Sequence, residues 1–145
     1  MTKLLILSDS HSNRLALEHI LKTEADHIDA LIFLGDGLRD LEQTLTLYPR
    51  LRAYAVAGNC DFGALEPLDG LAAFDGVVVF YTHGHMYGVK YDLDTLADAA
   101  AARGAGVLRQ PHTVKSLQPE KAPVPTCTTL RGNVMVCRPL QFSNT

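Results

Sequence analysis

Short apolar runs, each stopped by a polar elbow, recur along this chain. Residues 3–7 read Lys-Leu-Leu-Ile-Leu and end at Ser8-Asp9-Ser10-His11-Ser12-Asn13. A run this short cannot span a membrane or hold a helix alone; it suits a strand buried on both faces, as in a parallel sheet. From 13 to about 25 the pattern turns helical, with Leu15, Leu17, Ile20 and Leu21 on one face and Arg14, Glu18 and Lys22 outside. Asn13 is the expected N-cap. Residues 30–34, Ala-Leu-Ile-Phe-Leu, predict a second buried strand that stops at Gly35-Asp36-Gly37. Strand, helix, strand makes a βαβ unit, hence a parallel pair with a right-handed crossover. Both carboxyl ends then share one sheet edge, and Asp36 faces the region of Asp9 and His11.

The pattern continues in the same way. Residues 38–48 predict a helix with Leu38, Leu41, Leu45 and Leu47 inward, ended by Pro49. Residues 51–57 predict a third strand, followed by Gly58-Asn59-Cys60-Asp61. Residues 62–74, with Gly63, Pro67 and Gly70, read as a loop holding one short helical turn. Asp75-Gly76 is a hairpin signal. Residues 77–81, Val-Val-Val-Phe-Tyr, predict a fourth strand, ended by Thr82-His83-Gly84-His85. Residues 90–103 predict a helix closed by Gly104, and 105–108 a short strand. Beyond that the pattern fades: Pro119, Pro123, Pro125 and Pro139 interrupt it, and only 134–137 reads as a strand.

Composition narrows the class. The 145 residues are 47% hydrophobic and 20% charged, which predicts one globular domain with a real core. A net charge of -3 gives no reason to expect nucleic-acid binding. Cys60, Cys127 and Cys137 are odd in number and lack a Cys-x-x-Cys spacing, which argues against a disulfide framework and fits a reducing compartment. The start lacks a signal-peptide pattern and no apolar window is long enough for a membrane span, so the expected location is the cytoplasm. A homo-oligomer is compatible with the sequence.

The elbows carry the candidate chemistry. Asp9 and His11, two apart at a strand end, can aim a carboxylate and an imidazole at one point, as a divalent metal requires. The alternative is that Asp9, Ser12 or Asn13 only caps the following helix. Asn59 alone could be a plain turn residue. His83 favours a site over a core or surface role. For His85 the ligand and surface readings stand level. His19 and His27 have no such context and read as ordinary residues.

In this order, Asp9-x-His11, Gly35-Asp36, Gly58-Asn59-Cys60-Asp61 and Thr82-His83-Gly84-His85 resemble the calcineurin-like metallophosphoesterase superfamily. The chain looks most similar to its small bacterial phosphodiesterases, in which Cys stands where larger relatives have His. The resemblance covers residues 1 to about 108. It implies an α/β fold: two packed β-sheets flanked by helices, a four-layer αββα sandwich formed as a single domain over 1–145. It implies two divalent metal ions, manganese foremost, with nickel, iron or zinc as alternatives. By resemblance Asp9 and His11 hold the first metal, Asp36 bridges both, and Asn59, His83 and His112 hold the second. Asp36, Asn59 and Asp61 are the implied catalytic group, with Asp61 orienting its neighbours. Cys60 and His85 stand around the ligands. The implied substrate is a small phosphate ester, hydrolysed by water activated between the metals. Cys60 in place of His argues for diester or activated substrates.

The chain departs from the family at its last motif. Gly-His-Thr-His is replaced by Pro111-His112-Thr113-Val114, and Val114 cannot bind a metal. Residues 109–145 depart from the family pattern, and a frameshift or small deletion is the expected cause. The rival expectation is a catalytically weak or inactive relative that serves as a protein-interaction scaffold, as some relatives of this fold do in membrane trafficking. An inactive remnant of an enzyme is the third.

Overall fold

The structure, a computed structural model, describes residues 2–105 and the strands at 111–113, 126–130 and 134–138. Strands β1 (Leu4–Leu7), β2 (Ala30–Phe33) and β3 (Arg52–Ala55) form a parallel sheet in the order β1-β2-β3. Helices α1 (Arg14–Glu24) and α2 (Leu38–Leu45) make the crossovers. Strand β2 is central and all four of its residues are buried. That explains its unbroken apolar run.

Alternation along β2 divides the core into two layers. Leu31 and Phe33 pack with Leu17 and Leu21 of α1 and Leu38 and Leu41 of α2. Ala30, Ile32 and Leu34 point the other way, with Val56, onto Phe74, Val79 and Tyr81. Those three belong to an antiparallel hairpin of β4 (Asp69–Phe74) and β5 (Val77–Thr82). Phe80 projects from the hairpin's far face onto Val89, Leu96, Ala100 and Ala105, the layer of α3 (Asp94–Ala102). The order is therefore helices, parallel sheet, hairpin sheet, helix: the expected α/β sandwich with two packed sheets. Each large side chain fully buried in these layers is worth about 1.5–3 kcal/mol.

Several elements differ from the sequence expectation. Residues 69–74 form a strand, not a loop. They lack β-branched residues, and Gly70 is there because Tyr81 lies across it: a Cβ would come within 2.3 Å of the Tyr81 ring. Asp75 and Gly76 make the expected tight turn, both with positive φ (49° and 78°). Leu15 and Leu47, expected inward, are exposed. The buried stripe of α1 is Leu17 and Leu21, and Leu15 lies about 200° round the helix from Leu17. Leu47 follows the end of α2. Helix α3 starts at Asp94 instead of 90, after a turn in which Asp92 accepts from the Asp94 N–H. Ala105 is buried outside any strand, and 106–108 lie outside the described residues.

Strands β6 (Pro111–Thr113), β7 (Thr126–Leu130) and β8 (Val134–Arg138) form an antiparallel sheet in that order, and β8 runs near β5. The sequence offered only 134–137 as a strand. Threonine-rich β7 and proline-led β6 gave no apolar run to find. Among the described residues no helix is long and apolar enough to cross a membrane.

Candidate metal centre

The parallel sheet places its three elbows on one edge, and backbone hydrogen bonds stitch them together beyond the strands. Leu34 N–H donates to Leu7 O (2.8 Å), Asp9 N–H to Gly35 O (2.9 Å), His11 N–H to Asp36 O (3.1 Å) and Val56 N–H to Phe33 O (3.0 Å). Asp9, His11, Ser12 and Asp36 hold positive φ of 58°, 42°, 67° and 59°. L-residues in this region cost about 1–2 kcal/mol each, so the strain of the fold is concentrated on the candidate site. Two glycines make the crossing of elbows feasible. A Cβ on Gly58 would lie 2.1 Å from Asp36 Oδ1, and one on Gly35 2.3 Å from Gly58 N.

Asp61 organises the loops without entering the cluster. Its Oδ2 accepts from the N–H of Asp36 (2.6 Å) and Gly58 (2.8 Å), and its Oδ1 from Gly37 (2.9 Å) and Leu38 (3.0 Å). Burial pushes its pKa up, but the four N–H bonds outweigh that and hold it below its ordinary value. The carboxylate also sits at the amino end of α2, where the helix leaves N–H groups without partners.

Asp36 is at the centre. It is buried, and its Oδ1 accepts from the Cys60 N–H at 2.7 Å. Its Oδ2 faces two imidazoles, His83 Nε2 at 3.5 Å and His11 Nε2 at 3.8 Å. His11 Nε2 is also 3.3 Å from Asp9 Oδ1. Asp9 is buried too, and its Oδ2 has no hydrogen-bond partner among the described residues. Burial raises the Asp9 pKa despite the opposing pull of Ser8 and His83.

His83 is buried and its Nδ1 lies 2.7 Å from Leu34 O. A carbonyl only accepts, so Nδ1 carries the proton and a neutral ring turns the Nε2 lone pair inward. That lone pair meets Asn59 Oδ1 at 3.0 Å and Asp36 Oδ2 at 3.5 Å. Asn59 is oriented by its Nδ2 donating to Cys60 Sγ at 3.3 Å. With that tautomer, three acceptors converge with no donor between them among the described residues. A cation placed between them relieves that arrangement. The mixture of hard carboxylate, amide oxygen and imidazole fits a divalent ion.

The sequence candidates are largely brought together. Ligand atoms of Asp9, Asp36 and His83 lie within 4.8 Å of one another, as do those of His11, Asp36 and Cys60, and Asp36 is common to both sets. The helix-capping alternative for the first elbow is met by Asn13, whose Oδ1 accepts from Ala16 N–H at 3.2 Å, which leaves Asp9 free to face the cluster. His85 is exposed and stacks edge-on beside His83, with ring centroids 5.3 Å apart. Burial, and then His83, lower its pKa. His19 and His27 are exposed on the far surface elements, as expected for ordinary residues. His112 is on β6, but its side chain and Val114 lie outside the described residues. Sequence reasoning kept Cys60 off the ligand positions. Its only signal there was adjacency to Asn59.

The sequence model of the calcineurin-like phosphoesterase superfamily domain matches residues 2–133. The chain belongs to this superfamily. The match runs further than the four elbows alone. Within the superfamily the chain is 36% identical over 110 residues to the probable metallophosphoesterase YsnB of Bacillus subtilis (strain 168), covering 75% of this chain and 62% of that protein. It therefore spans less than two thirds of that relative's length. Two solved structures share the fold. One is a conserved uncharacterized protein, a predicted phosphoesterase, from Streptococcus pneumoniae TIGR4, with a TM-score of 0.65 and 21% identity over 95% of this chain and 71% of that one. The other is Vacuolar Protein Sorting 29 from Cryptosporidium parvum, with a TM-score of 0.59 and 12% identity over 79% and 69%. As in the superfamily, the cluster is read as metal-dependent.

Proposed function

We propose that this chain is a metal-dependent phosphoesterase that hydrolyses phosphodiesters at the cluster around Asp36. The observation that carries the reading is the convergence of His83 Nε2, Asn59 Oδ1 and Asp36 Oδ2, with His83 Nδ1 turned away onto Leu34 O. Asp9, His11 and Asp36 would hold one divalent cation, and Asp36, Asn59, His83 and His112 a second, with manganese the preferred ion and nickel, iron or zinc as substitutes. Such cations supply charge neutralisation for the phosphoryl oxygens and a lowered pKa for the attacking water.

The chain's own residues supply position and protons. Leu34 O fixes the His83 ring, so its lone pair needs no reorientation. Asp61 fixes the Asp36 and Gly58 elbows against each other. The Cys60 N–H on Oδ1 holds the Asp36 carboxylate in the orientation in which it would meet the cations. His11 and Cys60 are exposed and mark the open side, where the ester enters. Burial first, and then Asp36, raise the Cys60 pKa. A thiol protonates a poor leaving group less well than an imidazolium, which suits diesters with good leaving groups.

The test is manganese-dependent hydrolysis of an aryl phosphodiester, compared between the wild-type chain and Asp36→Asn. The second reading, a scaffold with a degraded centre, is favoured by Val114 in place of a ligand. It predicts no hydrolysis with any divalent ion and capture of a protein partner instead.

A further inference from the structure

We infer that Cys60 is a metal ligand in waiting, and that with His11 and Asp36 it forms a position at the mouth of the centre selective for thiophilic cations. The inference rests on the phosphoesterase reading and extends it to the control of metal identity. Three donors of different chemistry meet there: a sulfur, an imidazole nitrogen and a carboxylate oxygen, all within 4.8 Å of one another. That mixture differs from the buried set of Asp9, Asp36 and His83, which is built of oxygen and nitrogen alone. Carboxylate donors suit manganese and magnesium, whereas a thiolate selects soft cations such as zinc and its heavier congener cadmium.

Cys60 is held for this role from its backbone. Its N–H donates to Asp36 Oδ1 at 2.7 Å, which ties the sulfur-bearing residue to the shared carboxylate. Its Sγ receives the Asn59 Nδ2 hydrogen at 3.3 Å, so one of its two neighbours in the cluster already addresses the sulfur. His11 Nε2 faces Asp36 Oδ2 and Asp9 Oδ1, and the second oxygen of Asp9 is buried without any partner among the described residues. A cation at the mouth would sit between His11 Nε2 and Asp36 Oδ2, which face each other at 3.8 Å. A thiophilic cation would displace the thiol proton to solvent as the metal–sulfur bond forms, so that charge and atoms balance. The centre would then hold a tighter ion, with the thiol no longer able to give a proton to a leaving group.

Cadmium alone is the probe, because its bond to a thiolate gives an ultraviolet charge-transfer absorption that needs no enzymatic activity. Cys127 and Cys137 stand opposite each other across β7 and β8, so they are first replaced in the double variant C127S/C137S. The expected result is a saturable absorption band on adding cadmium to that double variant, lost on adding Cys60→Ser and shifted to higher cadmium concentration by His11→Ala. If the double variant does not fold, the same titration is run on the wild-type chain and on Cys60→Ser, where the amplitude must fall by one thiolate. A band unaffected by Cys60→Ser, or cadmium binding with no band in the double variant, overturns the inference. In that case retained manganese binding leaves the phosphoesterase reading standing. Loss of binding to every divalent ion overturns both.

Discussion

At the scale of single residues, Asp61 shows how a side chain outside the cluster sets its shape. Four backbone N–H groups from two elbows converge on its two oxygens. In Asp61→Asn one oxygen becomes an amide that points its own hydrogens at two donors. The variant should lose about 2–4 kcal/mol of unfolding free energy at neutral pH, read by denaturant titration. The pH dependence has a definite sign. Asp61 has its folded pKa below the ordinary carboxylate value, so its stabilisation is complete above about pH 4–5 and fades as pH falls through the folded pKa. The gap between wild type and Asp61→Asn should therefore be flat from about pH 5 upward and close in acid. A gap that widened on acidification would refute this account of Asp61.

At the scale of elements, the site is made by strand ends. The apolar runs of β1, β2 and β3 were legible because these strands meet another layer on each face, and their polar stops were legible for the same reason: a buried run ends where the sheet edge begins. Strand β4 was not legible. Its burial comes from one residue, Phe74, and its Gly70 is explained only by the Tyr81 ring across the hairpin. The approach of Cys60 to Asp36 was also hidden, since it depends on Gly58 passing against the Asp36 carboxylate. Gly58→Ala puts a methyl group into that crossing and should cost about 1–3 kcal/mol, with weaker manganese binding by calorimetry. Phe80→Ala offers the contrast. It empties the layer between β5 and α3, away from the cluster, and should cost about 3–5 kcal/mol while leaving the number of bound manganese ions unchanged. If Phe80→Ala changed the stoichiometry and Gly58→Ala did not, the elbows would not be what shapes the centre.

At the scale of the whole molecule, the first sheet and its helices were readable from the apolar runs and the helical pattern between them, and the two-sheet sandwich from the family resemblance. The four elbows carried most of the candidate site, because each is a local signal tied to a strand end. The last motif is different: Pro111-His112-Thr113-Val114 follows only the short run 105–108, and the side chains of His112 and Val114 lie outside the described residues. The centre also couples binding to folding. Two buried carboxylates beside a fixed imidazole cost stability until a cation arrives. A divalent ion at about a hundred times its dissociation constant should raise the unfolding free energy by about 2.7 kcal/mol, and Asp36→Asn should abolish that rise.

The measurement that tests the central claim most directly is hydrolysis of an aryl phosphodiester by purified chain, with manganese titrated from zero and bound metal counted in the same samples. The account predicts hydrolysis that appears with manganese, saturates as the ions bind, and is lost in Asp36→Asn. Bound manganese with no hydrolysis at any concentration, or hydrolysis indifferent to manganese and to Asp36→Asn, would contradict it.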